Sequence, residues 1–290
     1  MEYRTERNAS GRPQDSEFKP MTANEASEMR ANPKGWNSKK AQAELRAVYE
    51  EKFPRLVSAL AGVEAEGLSY PQIVDISAHD YSAARIKLLI IGQQTQSWYS
   101  DDASHNGEWS SIKKHSPGDA VGKLLDCYAK FKLGEGKMQT PFWRYSYNFY
   151  RALNPTGPTH GFIWSNLVKM DGVNKKGKRG YPGWPIEECL IQFFDVVGSE
   201  VELAKPDVTV FFTGHGYDKC IERSFPGAQF ERVPHSGLDG KWLSVVKHDR
   251  LPQCSYRTYH PGYLNRMRKG DSALEKTIEL TIHKLLGRSG

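Results

Sequence analysis

The sequence predicts an α/β protein, specifically a three-layer α/β/α sandwich with a central four-stranded parallel sheet. Four short apolar segments rich in β-branched and aromatic residues alternate with longer segments of helical periodicity. Strands separated by helices are typical of βαβ units, in which the strands run parallel and helices cover both faces. Each apolar segment also ends in polar side chains, which is where open parallel sheets place their ligand sites.

The first 40 residues are polar, interrupted by Pro and Gly, and nearly free of aliphatic side chains. Such a segment buries too little apolar surface to offset its ordering entropy. We therefore predict a flexible polar N-terminal segment over residues 1–40 and one folded domain over residues 41–290.

A helical pattern begins near Lys40 and places Leu45, Tyr49 and Phe53 on one apolar stripe. Proline lacks an amide donor and its ring clashes with the preceding turn. Pro54 is therefore expected to kink this helix or to divide it in two.

The predicted strands alternate with the predicted helices along the rest of the chain. The strands are residues 86–92, 161–168, 207–214 and 254–260. The helices between them are residues 120–133, 142–154 and 187–205. Before the last strand, residues 228–233 and 241–248 are compatible with two short extra strands.

Composition bounds the function without selecting it. The chain has a formal net charge of +6, with 7 Trp and 14 Tyr, which permits nucleic acid as a partner but is equally common in other enzymes. Four widely spaced cysteines, without a C-x-x-C pair, favour reduced thiols over a metal cage, and we expect neither metal nor cofactor. With no 18-residue apolar run and no secretory signal, we expect a cytoplasmic protein with no membrane partner and no obligate protein partner.

The ends of the predicted strands carry the strongest functional signal. The first strand runs into Gln93 and Gln94, the second carries Asn166 near its end, and His260 follows the fourth. The carboxyl ends of parallel strands open on one edge of the sheet, so we expect these side chains to converge there.

Four stretches, in this order, resemble the motifs of the uracil-DNA glycosylase superfamily: "IIGQQTQSW", "TPFWRYSYNFYRALNP", "GFIWSNLVKMDG" and "TYHPGYLNR". Each motif alone is weak, whereas four in sequence over roughly residues 85–270 are fairly specific. The resemblance implies a monofunctional DNA glycosylase that flips a base out of the duplex and hydrolyses its N-glycosidic bond.

The resemblance also implies roles for individual residues. Gln94 would orient the hydrolytic water, Asn166 would read the edge of the base, and His260 would stabilise the departing base anion. Further substrate-binding candidates around the flipped base are Gln93, Gln96, Trp98, Tyr99, Phe142 and Trp143. Phe142 would stack on the base with Trp143 as its support, although both rings also suit the core of a helix.

Two segments would hold the DNA. The loop after the second strand contains Lys175, Lys176, Lys178 and Arg179, which suit phosphate contacts but equally suit a solvated loop. In the last loop, Tyr263 or Leu264 would enter the duplex, and Arg266 and Arg268 would contact phosphates.

Two departures from the family pattern bear on the substrate. Gln94 stands where the uracil enzymes carry an acidic residue or Asn, and an amide cannot accept a proton. Gln96 stands where the uracil-specific branch has a Tyr that rejects 5-substituted pyrimidines. We therefore expect a pyrimidine with a bulky polar 5-substituent in double-stranded DNA, such as glucosylated hydroxymethylcytosine in phage DNA, and a role in antiviral defence.

Three other functions stay open from the sequence. The first is repair of uracil or mismatched bases, and the second is a catalytically silent member of the fold that binds DNA or a protein. The third, a nucleotide-binding α/β protein, is disfavoured because the chain has neither a G-x-G-x-x-G run nor a P-loop.

Overall fold

The structure is a computed structural model that describes residues 36–63, 67–96, 98, 108–173, 177–233, 236–267 and 270–285. It is an α/β fold around one mixed sheet. The strands of this sheet are β1 (Leu88–Gln94), β2 (Phe162–Val168), β5 (Val208–Phe212), β6 (Gln229–Arg232), β7 (Leu243–Lys247) and β8 (Cys254–Thr258). Two further strands, β3 (Gly172–Val173) and β4 (Arg179–Gly180), form a separate antiparallel pair.

The six strands lie in the order β2-β1-β5-β8-β7-β6. The first four are parallel, as the alternation of strands and helices predicts. Beyond β8 the sheet continues with β7, which pairs antiparallel with β8, and with β6, which pairs antiparallel with β7. The predicted sheet of four parallel strands is therefore too small and must be corrected to a mixed sheet of six. The added strands come from 228–233 and 241–248, and their short length leaves only a weak alternating pattern.

The described helices are α1 (Ser38–Leu60), α2 (Trp109–Ile112), α3 (Pro117–Lys130), α4 (Pro141–Leu153), α5 (Trp184–Phe193), α6 (Val197–Ala204), α7 (Asp218–Ser224), α8 (Pro261–Arg266) and α9 (Gly270–Leu285). Seven of them fall into two contact groups. Helix α1 contacts α3, α5 and α6, whereas α4, α8 and α9 contact one another. The predicted helices thus exist, with the segment 187–205 split into α5 and α6.

Helix α1 runs through Pro54 without being divided, so of the two expected outcomes the division of the helix is wrong. Asn37 caps its first turn by accepting a hydrogen bond from the Lys40 amide at 3.0 Å. Phe53 and Leu56, on either side of the proline, are both buried in the core, and this packing offsets the missing backbone hydrogen bond.

The described chain begins at Trp36, inside the predicted flexible segment. The Trp36 indole Nε1 donates to the Leu203 carbonyl oxygen at 3.0 Å, and its ring meets Tyr81 edge-on. Residues 1–35 lie outside the described residues. In the described part of the chain, no helix combines the length and the apolar character needed to cross a bilayer.

Candidate functional site

A cavity of about 460 Å³ lies at the carboxyl edge of the parallel strands. Its volume falls in the range of small-molecule binding sites. It is lined by Gln93, Gln94, Gln96, Trp98, Phe131, Lys137, Thr140, Pro141, Phe142, Trp143, Trp164, Asn166, His260 and Gly262. The structure thus brings all three expected catalytic residues together with every expected substrate-binding residue except Tyr99, which lies outside the described residues.

The register of the first two strands places their polar ends side by side. Gly92 of β1 lies opposite Asn166 of β2 in the parallel ladder. A Cβ atom at Gly92 would collide with Oδ1 of Asn166 and would come within 3.4 Å of Cε2 of Phe142. Position 92 therefore requires glycine because the side chains of two neighbouring elements fill the space above its Cα.

Five aromatic side chains form one wall of the cavity. They are Trp98, Phe131, Phe142, Trp143 and Trp164. The Trp164 ring lies at the centre, 4.9 Å from the Trp143 centroid and 5.3 Å from the Trp98 centroid, with edge-to-face geometry in both pairs. Such contacts fix the ring planes and stabilise the wall.

Trp164 and Phe131 are site residues that the sequence analysis missed. Trp164 stands two positions before Asn166 on the same strand, so the period-two alternation of a strand places both on one face. This spacing could have identified Trp164 as a site residue from the sequence. Phe131 follows α3, and no comparable pattern marked it.

Trp143 supports Phe142 and also forms part of the cavity wall. Its ring is buried and packs against Gly134, whose φ of 65° is in the left-handed region and whose Cβ, if present, would collide with the indole. Phe142 is only partly buried and contacts the Trp143 ring edge-on at 5.1 Å. The Phe142 ring is therefore held in place while part of it stays open to the cavity.

His260 is a neutral hydrogen-bond donor at the cavity. Its Nδ1 accepts a hydrogen bond from the Gly262 amide at 3.1 Å. Burial, and secondarily the charge of Arg266, lowers the pKa of His260 to about 4. At neutral pH the ring therefore carries its single proton on Nε2, because Nδ1 is used as an acceptor.

The two adjacent glutamines are held by different partners. Nε2 of Gln93 donates to the Thr213 carbonyl oxygen at 2.7 Å, at the end of β5. Oε1 of Gln94 accepts a hydrogen bond from the Tyr217 hydroxyl at 2.7 Å. Burial raises the pKa of Tyr217 to about 12, so its hydroxyl stays protonated and donates. Tyr217 is a further residue that sequence reasoning missed.

The polar part of the cavity mouth includes Gln96 and Lys137, both exposed. The Lys137 ammonium lies 5.2 Å from the Phe131 ring centroid, within range of a cation–π contact. Near them the Trp98 amide donates to Oδ2 of Asp171 at 3.1 Å, which anchors the segment that follows β1. This part of the site combines a cation, an amide and aromatic faces.

A buried ion pair supports the end of β2. The Lys169 ammonium contacts Oε2 of Glu200 at 2.6 Å, and both residues are 1% exposed. Ser165 and Tyr49 also donate to the Glu200 carboxylate, at 2.6 and 2.9 Å. The network satisfies the carboxylate and positions the strand that carries Asn166.

The expected phosphate-binding loop is only partly described. Lys175 and Lys176 lie outside the described residues, and Lys178 is exposed. Arg179 donates to Oδ1 of buried Asp171 at 3.2 Å and to the Gly67 carbonyl oxygen at 3.0 Å. Arg179 is therefore engaged in holding the loop onto the protein, which differs from the role expected for it.

The last loop requires one correction. Leu264 is 0% exposed, so it cannot enter a duplex from this position, and its expected role as a wedge is wrong. Helix α8 turns this side chain into the core. Tyr263 is partly exposed and stacks on Tyr259 with 4.6 Å between the ring centroids. Arg266 is exposed, and Arg268 lies outside the described residues.

A second cavity of about 440 Å³ adjoins the first and shares Gln93, His260 and Gly262 with it. Tyr259, Tyr263 and Arg266 line its far side. The described residues contain no group of three or more His, Cys, Asp or Glu side chains that could hold a metal ion.

The sequence matches no known family profile, and comparison with the curated proteins yields no similar sequence.

Proposed function

We propose that this protein is a divergent DNA glycosylase of the uracil-DNA glycosylase superfamily, with the three-layer α/β/α architecture of that group. The observation that carries the proposal is the meeting of Gln94, Phe142, Asn166 and His260 around one cavity. The four parallel strands and the two groups of contacting helices are compatible with the proposed fold.

The reaction is hydrolysis of the N-glycosidic bond of a flipped pyrimidine nucleotide. The bond breaks towards an oxocarbenium-like sugar and a base anion, so the placement of charge and the orientation of water dominate catalysis. The Nε2–H group of His260 donates a hydrogen bond to the carbonyl oxygen on which the base anion accumulates charge. The attacking water bonds to the sugar carbon, and the proton it releases ends on the departing base. Gln94 orients the attacking water, Asn166 binds the edge of the base, and Phe142 stacks on its face.

The proposed substrate is a pyrimidine with a bulky polar substituent at C5. Gln96, Trp98, Phe131 and Lys137 leave room at the cavity mouth and offer both hydrogen-bonding groups and ring faces. Glucosylated hydroxymethylcytosine in phage DNA is a base of this kind, and its removal would make the protein an antiviral enzyme. Lys178, Tyr263 and Arg266 are exposed or partly exposed candidates for contacts with the duplex.

The decisive experiment incubates the purified protein with phage DNAs of defined cytosine modification and with uracil-containing duplex. Released bases are identified by mass spectrometry, and abasic sites are detected by alkaline cleavage of end-labelled strands. Release from the glucosylated DNA supports the proposal. Release from the uracil duplex alone favours repair instead, and no release from any DNA overturns the enzymatic function.

One observation favours a second candidate, a catalytically silent member of the fold that binds DNA or a protein. No carboxylate is among the described residues that line the cavity, and Oε1 of Gln94 is already bonded to Tyr217. Nδ1 of His260, the other described lining group that could accept a proton, already accepts a hydrogen bond from the Gly262 amide, so neither group is free to take a proton from water as the bond breaks. Tight binding of modified duplex without base release would support this candidate.

A further inference from the structure

The cavity residue Asn166 has a buried partner, Gln72, that the proposed mechanism does not use. The Gln72 side chain is 0% exposed. Its backbone amide donates to the Lys169 carbonyl oxygen at 2.7 Å, and the Ser69 amide donates to the Asp171 carbonyl oxygen at 2.8 Å. Residues 69–72 therefore run beside residues 169–171, which directly follow β2.

The hydrogen bonds of Gln72 determine which way its amide group points. Nε2 of Gln72 donates to the Trp164 carbonyl oxygen at 3.3 Å. A carbonyl oxygen can only accept, so the nitrogen of the Gln72 amide must face Trp164 and Oε1 must face the other way. The Trp164 carbonyl is itself fixed by the Tyr128 hydroxyl at 3.1 Å.

The orientation of Gln72 in turn determines that of Asn166. Oε1 of Gln72 accepts a hydrogen bond from Nδ2 of Asn166 at 2.9 Å. If the Asn166 amide were reversed, two oxygen acceptors would face each other in a buried position, at the cost of an unmade hydrogen bond. Asn166 therefore keeps Nδ2 towards Gln72 and Oδ1 over Gly92, beside the Phe142 ring that stacks on His260.

This arrangement leaves one acceptor and one donor of the Asn166 carboxamide unused and fixes the position of each. No described residue donates to Oδ1, and one N–H of Nδ2 remains beyond the bond to Gln72. A pair of amides with a purely structural role would use these groups within the protein. Since Asn166 also lines the cavity, the open acceptor and donor are available to a ligand there.

We propose that Gln72 is a positioning residue that sets the base specificity of the site, an inference that rests on the proposed glycosylase function. A 4-amino pyrimidine presents a donor at N4 and an acceptor at N3, whereas a 4-oxo pyrimidine presents the reverse order. An Asn that is free to rotate would match either edge. Asn166, held by Gln72, matches only one of the two in a given binding position.

The test compares two substitutions at Gln72. Gln72→Met keeps the length of the side chain but removes both hydrogen bonds. Gln72→Glu keeps an oxygen that accepts from Nδ2 of Asn166, and burial keeps its carboxyl protonated, so that the hydroxyl group can donate to the Trp164 carbonyl oxygen in place of Nε2. The two duplexes carry the same 5-substituted pyrimidine with either a 4-amino or a 4-oxo group. The readout is the kcat/KM for the duplex that the wild type prefers, divided by the kcat/KM for the other duplex. Thermal unfolding of each variant identifies the temperature at which all of them are folded.

We expect Gln72→Met to lower this ratio at least tenfold, since the lost interaction is a buried hydrogen bond, and Gln72→Glu to retain it. A purely structural role would reduce activity on both duplexes equally and would leave the ratio unchanged. A wild-type ratio in Gln72→Met overturns the inference.

A second measurement separates this inference from the proposed function. The side-chain amide protons of Asn166 are followed by NMR in the wild-type protein and in both variants. We expect slow exchange in the wild type, fast exchange in Gln72→Met, and slow exchange again in Gln72→Glu. If the wild type releases no base, the glycosylase function fails, and the ratio of Kd values for the two duplexes replaces the kinetic ratio. Fast exchange in the wild type overturns the positioning role whatever the activity.

Discussion

The rings of Phe142 and His260 face each other, with 5.6 Å between their centroids and 22° between their planes. Phe142 lies in the first turn of α4, and His260 caps α8 directly after the last strand of the sheet. Their contact joins the aromatic wall of the cavity to its only histidine among the described lining residues. The Phe142 ring covers one face of the imidazole, and burial is the main reason for the low pKa of His260.

Replacement of His260 tests the catalytic assignment. We expect His260→Ala to lower kcat by about 10²- to 10³-fold, the usual effect of removing one donor to a developing anion. Abasic sites formed under single-turnover conditions provide the measurement. His115→Ala is the matched control, because His115 is exposed and does not line the cavity. Equal rates in the two variants would remove His260 from the mechanism.

The pH dependence of the reaction follows from the lowered pKa of His260. Because the folded-state pKa is about 4, the ring is neutral throughout the range around its usual pKa of 6.5. We expect kcat/KM to show no step from His260 near pH 6.5 and to change only as the pH falls towards 4. An NMR titration of the His260 ring measures the pKa directly, and Arg266→Ala should raise it because a neighbouring positive charge is lost.

The lowered pKa of His260 also predicts how the free energy of unfolding depends on pH. A histidine whose pKa is depressed by folding binds its proton first in the unfolded state. Its contribution is therefore complete above pH 6.5 and is lost as the pH falls towards 4. As the pH is lowered from 7 to 4.5, the free energy of unfolding measured in urea should fall less for His260→Gln than for the wild type. An identical loss in both proteins would contradict the burial of a neutral imidazole.

The hydrogen bond between Tyr217 and Gln94 predicts an energetic coupling between them. We expect Tyr217→Phe to lower kcat by roughly tenfold, since Gln94 is then free to turn away from the position at which we propose that it orients water. In a double-mutant cycle with Gln94→Ala, the second substitution should add little to the first. Additive losses would show that the two side chains act independently.

The close contact at Gly92 predicts that even one methyl group there is harmful. Gly92→Ala would push the Asn166 carboxamide away from its position, so we expect a large loss of base release. Gly62→Ala is the control, because a Cβ at Gly62 has no neighbour within 4 Å. Both glycines lack a left-handed φ, so backbone strain does not separate the two variants. Full activity in Gly92→Ala would contradict the packing of Asn166 against β1.

The buried ion pair beneath β2 predicts a loss of stability. Removing one partner leaves an uncompensated buried charge, so Lys169→Met should lower the free energy of unfolding by about 3–5 kcal/mol. Glu51→Ala, which breaks an exposed ion pair with Arg55, should cost no more than about 1 kcal/mol. Urea unfolding of both variants measures the difference, and similar values would show that the Lys169 pair is not buried in solution.

Local sequence patterns were sufficient for most of the architecture. The apolar runs ending at Gly92 and near Asn166 located β1 and β2 to within two residues, because buried parallel strands need continuous apolar sequence. The same patterns did not show that β6 and β7 extend the sheet past β8. That position depends on backbone pairing between distant segments, which leaves little trace in either segment alone.

The residues of the candidate site likewise fall into those that the sequence could identify and those that it could not. Polar residues at strand ends could be found from the sequence, because parallel strands direct their carboxyl ends to one edge. Tyr217 and Gln72 could not be found, since each contacts its partner across a large separation in the chain. Leu264 was misassigned because the turn of α8 that buries it is a matter of packing.

By itself the sequence determined the parallel α/β core and the identity of the side chains that end its strands. Only the tertiary structure decided which of those groups are held, which are buried, and which way the Asn166 amide points. The physical reason is that apolar periodicity is a local property of the chain. Hydrogen-bond direction and burial depend on which distant residues pack together, and no local pattern encodes that packing.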